Sequence, residues 1–242
     1  ILDLSKIESG KLTVRWEARS VVEILADIRS LMIVRATEKS LTLAIDIEGE
    51  IPETIVTDRK MVRQILVNLV GNAIKFTERG GVQIVAKCLA NQELLEIAVK
   101  DSGIGIANDQ LESLFLPFQQ LDNSFTRTAG GSGLGLAISK KLVEILGGEL
   151  TVESVVNEGS TFRFTIPTGS LADAHWVSPE PSALRRGDTE IAPEELPEIS
   201  GRILAVDDRP EIRLLIREFV RSAGGEVETA TNGRESVQAW IA

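Results

Sequence analysis

The chain has 242 residues, 43% of them hydrophobic and 26% charged, a globular composition with room for one or two domains. A net charge of −10 and the lack of any basic cluster argue against a nucleic-acid groove, so no nucleic-acid partner is expected. No apolar run reaches the about 18 residues of a membrane span, and one cysteine, Cys88 in an apolar run, implies a core position in a reducing compartment.

Ile1 to Glu8 reads as the end of a helix, with Ile1, Leu4 and Ile7 on one face and Ser9-Gly10 as its stop. Lys11 to Trp16 alternates as a strand, and Val21 to Thr37 has the apolar spacing of a helix. Leu41 to Ile47 alternates again, and Ile55 to Thr57 adds a short strand. Asp58 then caps a helix running to Thr77 with Met61, Val62, Ile65, Leu66, Leu69 and Ala73 on its apolar face. Gly80-Gly81 marks a hairpin start for the strand Val82–Leu89, and Glu93–Lys100 is the next strand. A helix opens in Gly130–Leu136 and runs through Ile145, where Gly147-Gly148 ends it. Glu149–Val155 and Thr161–Ile166 form a final hairpin. Thr168 to Ser200 is broken by Pro179, Pro181, Pro193 and Pro197 and reads as an acidic linker. From Arg202 a new pattern begins: a strand to Val206, a helix from Arg209 to Ser222, a strand Glu226–Ala230, and a helix after Asn232-Gly233. The chain opens on Ile1 and closes within a helical pattern, so a piece of a longer protein is expected.

Several of these stretches carry chemistry. Asn68, Asn72 and Lys75 share one polar stripe on the Asp58 helix, beside its apolar face. Carboxamide oxygens ligate hard cations and a lysine meets phosphate as a point charge; a solvated helix face reads equally well from this helix alone. Asp101-Ser-Gly-Ile-Gly-Ile106 ends a strand in a carboxylate that suits the exocyclic amine of a base, or is a plain turn. LFLPFQQL at 114–121 anchors a flexible segment or is ordinary core. Arg127 is the cation of the polar loop 122–133, placed to reach terminal phosphates or to sit in solvent. The glycines at 130–135 open a helix, where backbone N–H groups and the helix dipole favour an anion. They form neither a Walker A loop nor a dinucleotide fingerprint. Asp207-Asp208 at a strand end is an acidic pair that binds a divalent cation or forms a turn.

Taken in order, these motifs resemble a bacterial hybrid sensor histidine kinase. Asn68-x-x-x-Asn72-Ala73-x-Lys75-Phe76-Thr77 resembles that family's N box, and DSGIGI at 101–106 its first glycine box. LFLPFQQ at 114–120 resembles the F box, GGSGLGLAI at 130–138 the second glycine box and GSTF at 159–162 the closing motif. ILDLSKIESGKL at 1–12 resembles the end of the dimerisation hairpin, and RILAVDD at 202–208 the start of a response-regulator receiver. The resemblance implies an α+β architecture. A two-layer α/β sandwich, a mixed sheet with helices on one face, is followed by the first half of a doubly wound α/β receiver. The boundaries are 1–10 for the hairpin end, 11–168 for the ATP-binding catalytic domain, 169–200 for the linker and 201–242 for the truncated receiver.

By motif position, the resemblance implies that Asn72, with Asn68 beside it, ligates Mg²⁺ and that Lys75 meets phosphate. Asp101 reads adenine between Gly103 and Gly105. Arg127, Gly131, Gly133, Leu134 and Gly135 line the phosphate side of a lid, and Thr161 assists the adenine through a water. Asp207 and Asp208 match the receiver's Mg²⁺ pair. ATP and Mg²⁺ are the implied cofactors. The implied partners are the kinase's own dimerisation helices and receiver, a downstream response regulator or phosphotransfer protein, and a second copy in a homodimer. This segment is expected in the cytoplasm, with the parent possible as an inner-membrane protein. The family's phosphorylated histidine lies upstream of SKIE and its receiver aspartate beyond the acidic pair, so both are expected outside this chain; His175 is not the acceptor. Two alternatives remain: an ATPase of the gyrase and mismatch-repair branch, and a nucleotide-binding module with no acceptor. The first places a glutamate base where this chain has Asn68, and a carboxamide cannot take a proton from water.

Overall fold

The computed structural model of the chain describes residues 13–111, 113–119, 133–178, 201–207, 213, 216–217, 220–221, 224–233 and 235–237. Its first part runs β1 (Glu17–Ser20), α1 (Val21–Glu38), β2 (Thr42–Glu48), β3 (Ile51–Pro52), β4 (Thr54–Thr57) and α2 (Arg59–Phe76). Then follow β5 (Gly81–Leu89), β6 (Leu94–Asp101), α3 (Asn108–Leu111), α4 (Gly135–Ile145), β7 (Leu150–Val155), β8 (Gly159–Pro167) and β9 (Trp176–Val177).

Alternation of apolar residues decides which face of each strand is buried. The main sheet has the order β2-β5-β6-β8-β7, with β2 parallel to β5 and the other pairs antiparallel. Ile45, Ile84, Val99, Phe162 and Val152 form one inward row across it. Ile28 and Met32 of α1, Ile65, Leu66 and Leu69 of α2, and Leu142 and Val143 of α4 join that face in one core. The opposite face is polar, as in the Arg163–Glu153 ion pair at 2.6 Å and the bond from Gln83 to Asp46 at 2.7 Å. This is the two-layer sandwich with a mixed sheet that the sequence implied.

α2 starts where the Asp58 side chain accepts from the Lys60 and Met61 N–H groups, at 2.9 and 3.2 Å, satisfying two of the helix's orphan donors. The second Asp58 oxygen accepts from Arg15 N–H at 2.9 Å. That contact explains a difference from expectation: residues 13–16 form no strand, and the strand lies one step later, at β1, paired antiparallel with β4. Gly80-Gly81 leads into the expected hairpin: β5 starts at Gly81 and pairs antiparallel with β6. α2 carries the chain back across the sheet, so β5 enters parallel to β2, a crossover that a two-residue turn cannot make. Within the expected linker, residues 168–178 pack as a strap. Thr168 N–H donates to Glu93 O at 2.9 Å, and β9 pairs antiparallel with β3. Those residues contain no proline, so every backbone donor is available; the prolines begin at Pro179.

The chain divides into two units, 1–188 and 189–242. In the second, β10 (Arg202–Val206) and β11 (Glu226–Ala230) pair in parallel, with Arg202 bridging Glu228 at 3.0 Å. Asp207 N–H continues the ladder to Ala230 O at 3.2 Å. The hairpin end expected at 1–10 lies outside the described residues.

Candidate functional site

The inward stripe of β6 reads Leu95, Ile97, Val99 and then Asp101, so an apolar series ends in a carboxylate at the sheet's edge. Its row partners across the sheet are Val82 and Ser160. Burial pushes the Asp101 carboxyl above the ordinary carboxylate range, while backbone bonds from Gly103 and Ser160 draw it back. Gly103 N–H reaches Asp101 Oδ1 at 2.8 Å. The turn that follows is stitched down: Ile104 N–H donates to Phe76 O at 3.3 Å, and Asn157 N–H to Ile104 O at 2.8 Å. Gly105 has φ +66°, and a Cβ there would collide with the Val155 carbonyl. The result is a cleft with about 510 Å³ of free space, walled by Ala73, Phe76, Ile104, Ile106, Leu114, Leu136 and Phe162, with Asp101, Asn72 and Ser160 as its polar groups. An apolar slot with an acceptor at its end takes a flat ring that carries an N–H donor.

A second space, with about 700 Å³ free including its mouth, is more polar and more open than the first. Gln64, Asn68, Gly71 and Asn72 of α2 form its floor, Arg35 of α1 one wall, and Gly135, Ile138 and Ser139 of α4 the other. Asn72 lines both spaces. Asn68 Nδ2 donates to Ser139 Oγ at 2.9 Å. The start of α4 faces this groove, so its first N–H groups and dipole favour an anion there.

The structure brings together Asn68, Asn72, Asp101, Gly105 and Gly135 along these two spaces. Gly103 belongs to the same turn, and buried Leu134 precedes α4. Gly133 O accepts from Phe118 N–H at 3.0 Å, tying the 114–119 segment to the start of α4. Lys75 lines neither space; its ammonium lies 4.8 Å from the centroid of the Phe76 ring. Thr161 is not brought in. It pairs with Lys100 and Glu153 in a row facing away from the helices, and its neighbour Ser160 lines the cleft instead. Consecutive strand residues point to opposite faces, which is why one position separates the two. Arg127, Gly131 and Asp208 lie outside the described residues; Asp207 takes the guanidinium of Arg213 on its carbonyl at 2.7 Å. Among the described residues no cluster of three acids, histidines or cysteines could hold a metal, and no helix is long and apolar enough to cross a membrane.

Two cations were not anticipated. Arg35 reaches the groove from the last turn of α1. Lys39 Nζ donates to the carbonyls of Ile74 at 2.9 Å, Lys75 at 2.8 Å and Thr77 at 3.4 Å, which closes the C-terminal end of α2. Neither has a local signal in the sequence, because both meet residues of α2 at least 29 positions away by tertiary packing.

An apolar, carboxylate-ended cleft opening past a carboxamide onto a groove at a helix N-terminus defines a nucleotide-type site on an α/β sandwich. Residues 57–170 match the family described as histidine kinase-, DNA gyrase B- and HSP90-like ATPase. The sensor histidine kinase GacS of Pseudomonas protegens is 37% identical over 245 residues, covering 96% of this chain and 25% of GacS. The signal transduction histidine-protein kinase BarA of Escherichia coli is 39% identical over 169 residues, covering 69% of this chain and 18% of BarA. The crystal structure of full-length ShkA with AMPPNP superposes with a TM-score of 0.63 at 25% identity, covering 98% of this chain and 45% of ShkA. The chain belongs to the sensor histidine kinase family and carries that family's ATPase-type catalytic domain. It spans a quarter or less of the length of these two curated relatives.

Proposed function

We propose that this chain is the ATP-binding catalytic part of a hybrid sensor histidine kinase, presenting the terminal phosphoryl group of ATP to an imidazole outside residues 1–242. The observation that carries this reading is Asp101: the one acid in an otherwise apolar inward stripe, facing a cleft that continues past Asn72 into the polar groove. Adenine's exocyclic amine donates to that carboxylate while Phe162, Ile104 and Leu136 hold the ring. The phosphates follow into the groove, toward Arg35 and the start of α4. The Asn68 and Asn72 carboxamides fit a magnesium ion that takes few protein ligands, since their oxygens are hard donors and no acidic cluster competes among the described residues. Magnesium bound there supplies neutralisation of the phosphate charge. Arg127, Gly131, Gly133 and Gly135 complete the phosphate side.

In the parent, the bond from the γ-phosphorus to the bridging oxygen breaks, a phosphorus–nitrogen bond forms on the acceptor imidazole, and ADP leaves. The residues of this chain hold and orient the nucleotide. Asn68 offers no base for water, so hydrolysis is slow. His175 is not the acceptor: it sits on the strap against Glu53, at 3.1 Å, and the Glu53 carbonyl accepts from Val21 N–H at the start of α1, away from both spaces. Asp207 and Asp208 belong to a receiver that passes the phosphoryl group onward, to a response regulator or phosphotransfer protein, in a homodimeric parent.

Titration of the chain with Mg·ATP, combined with a steady-state ADP-release assay and a test for acid-labile phosphate, examines the reading. Saturable binding, slow turnover and no phosphate on the chain are expected. Rapid turnover, or label on His175, contradicts it.

A further inference from the structure

Asn68 is gripped by α4 at two positions one turn apart. Its Nδ2 donates to Ser139 Oγ at 2.9 Å, and a Cβ at Gly135 would collide with its Oδ1 and lie 3.0 Å from its Cγ. Ser139 is 1% exposed, on a helix face that also buries Leu142 and Val143. A hydroxyl placed there costs free energy unless it is hydrogen-bonded, and Asn68 is the side chain that meets it. A serine in a helix can turn its own proton back to the carbonyl four residues earlier, which leaves its oxygen free to accept.

From this geometry we infer that Ser139 is a positioning residue of the nucleotide site: it holds the amide nitrogen of Asn68 against α4, so that the carboxamide oxygen is the atom left for the groove. A free carboxamide offers its donor and acceptor ends alike, and the donor end repels a cation. With the nitrogen committed to Ser139, Asn68 presents an oxygen without further ordering. Gly135 supplies the space in which the carboxamide lies. The inference rests on the reading that the groove takes a cation-bound phosphate chain, and it assigns to Ser139 a role exerted only through Asn68.

The test uses the whole chain as wild type, Ser139→Ala, Asn68→Ala and the double variant, each titrated with ATP in magnesium and again in EDTA. Ser139→Ala is expected to weaken the magnesium-dependent binding about three- to tenfold, the loss of one hydrogen bond. It should leave metal-free binding unchanged and add nothing in the Asn68→Ala background. Unchanged affinity, equal loss with and without metal, or a further loss in the double variant overturns the inference. A second readout does not depend on nucleotide. The Asn68 side-chain amide signals in an ¹⁵N spectrum, identified by their disappearance in Asn68→Ala, should shift in Ser139→Ala; signals that stay in place overturn the inference. If the wild type fails to bind ATP, the nucleotide reading falls, while the amide signals still decide the contact. Should Ser139→Ala not fold, Ser139→Cys keeps the side-chain shape at a somewhat larger size, weakens the acceptor and is judged by the same outcomes.

Discussion

The two spaces that meet at Asn72 are built by opposite means. The cleft at Asp101 is made by one strand end and the glycine turn after it, closed by apolar side chains, with Asp101 as its single carboxylate. The groove is made by three helices from distant parts of the chain, and its chemistry comes from carboxamides, a guanidinium and a helix N-terminus. The cleft suits recognition of a ring by shape and one hydrogen bond. The groove suits a flexible, charged chain held by several weak polar contacts. If this contrast is real, substitutions in the cleft should affect every adenine nucleotide alike, and those in the groove should discriminate by phosphate number and by metal.

The largest effect is expected from Asp101→Asn. It turns an acceptor into a carboxamide at the ring's donor and should lower ATP and ADP affinity alike, by about tenfold or more, the scale of a hydrogen bond to a charged group. Calorimetric titration measures it; a loss for ATP but not ADP would break the division between the spaces. The same substitution has an opposite effect on the ligand-free protein. Asp101 titrates higher in the folded state than unfolded, so its ionised form costs stability above its unfolded pKa, and the cost disappears as the pH falls through the raised value. Asp101→Asn should therefore melt higher than wild type at neutral pH, and the difference should close on acidification. Over that same window wild-type affinity for nucleotide should fall, because protonation removes the carboxylate's charge and turns one of its acceptor oxygens into a donor.

Asn72→Ala comes next. It should remove about tenfold of affinity for Mg·ATP and little for ATP in EDTA; equal loss in both conditions would place the metal elsewhere. Lys39→Met tests the helix that carries both spaces. Losing the ammonium from the end of α2 should cost about 1–2 kcal/mol of stability, read by thermal or urea unfolding. Because Phe76 O also anchors the Ile104 turn, cleft and groove should weaken together. The smallest effect is expected from Arg35→Gln: a two- to threefold loss for ATP, less for ADP, shrinking as salt rises, since the guanidinium acts across an open groove (about the scale of an exposed ion pair).

The same contrast governs what could be read from the sequence. The cleft was legible because strand alternation and a local turn define it: Leu95, Ile97, Val99 and Asp101 share a face by period alone. Asn68 and Asn72 of the N-box stripe were legible for the same reason, at helical period, whereas Lys75 on the same stripe lines neither space. Ser160 was missed in favour of Thr161, because one residue of strand register reverses the face and the motif does not fix it. Ser139, Arg35 and Lys39 were not legible. Each acts across at least 29 positions (Arg35 to Gln64), where only packing of one helix on another brings the groups together. The strap at β9 was hidden by the prolines that follow it, which made the whole stretch read as linker.

The measurement that bears most directly on the central claim is a crystal structure of the chain with magnesium and a non-hydrolysable ATP analogue. The adenine should lie between Ile104 and Phe162 with its exocyclic amine on the Asp101 carboxylate, and the phosphates should run past Asn72 into the groove beside Arg35. A nucleotide bound elsewhere, or an Asn72 carboxamide turned away from any cation, would contradict the account.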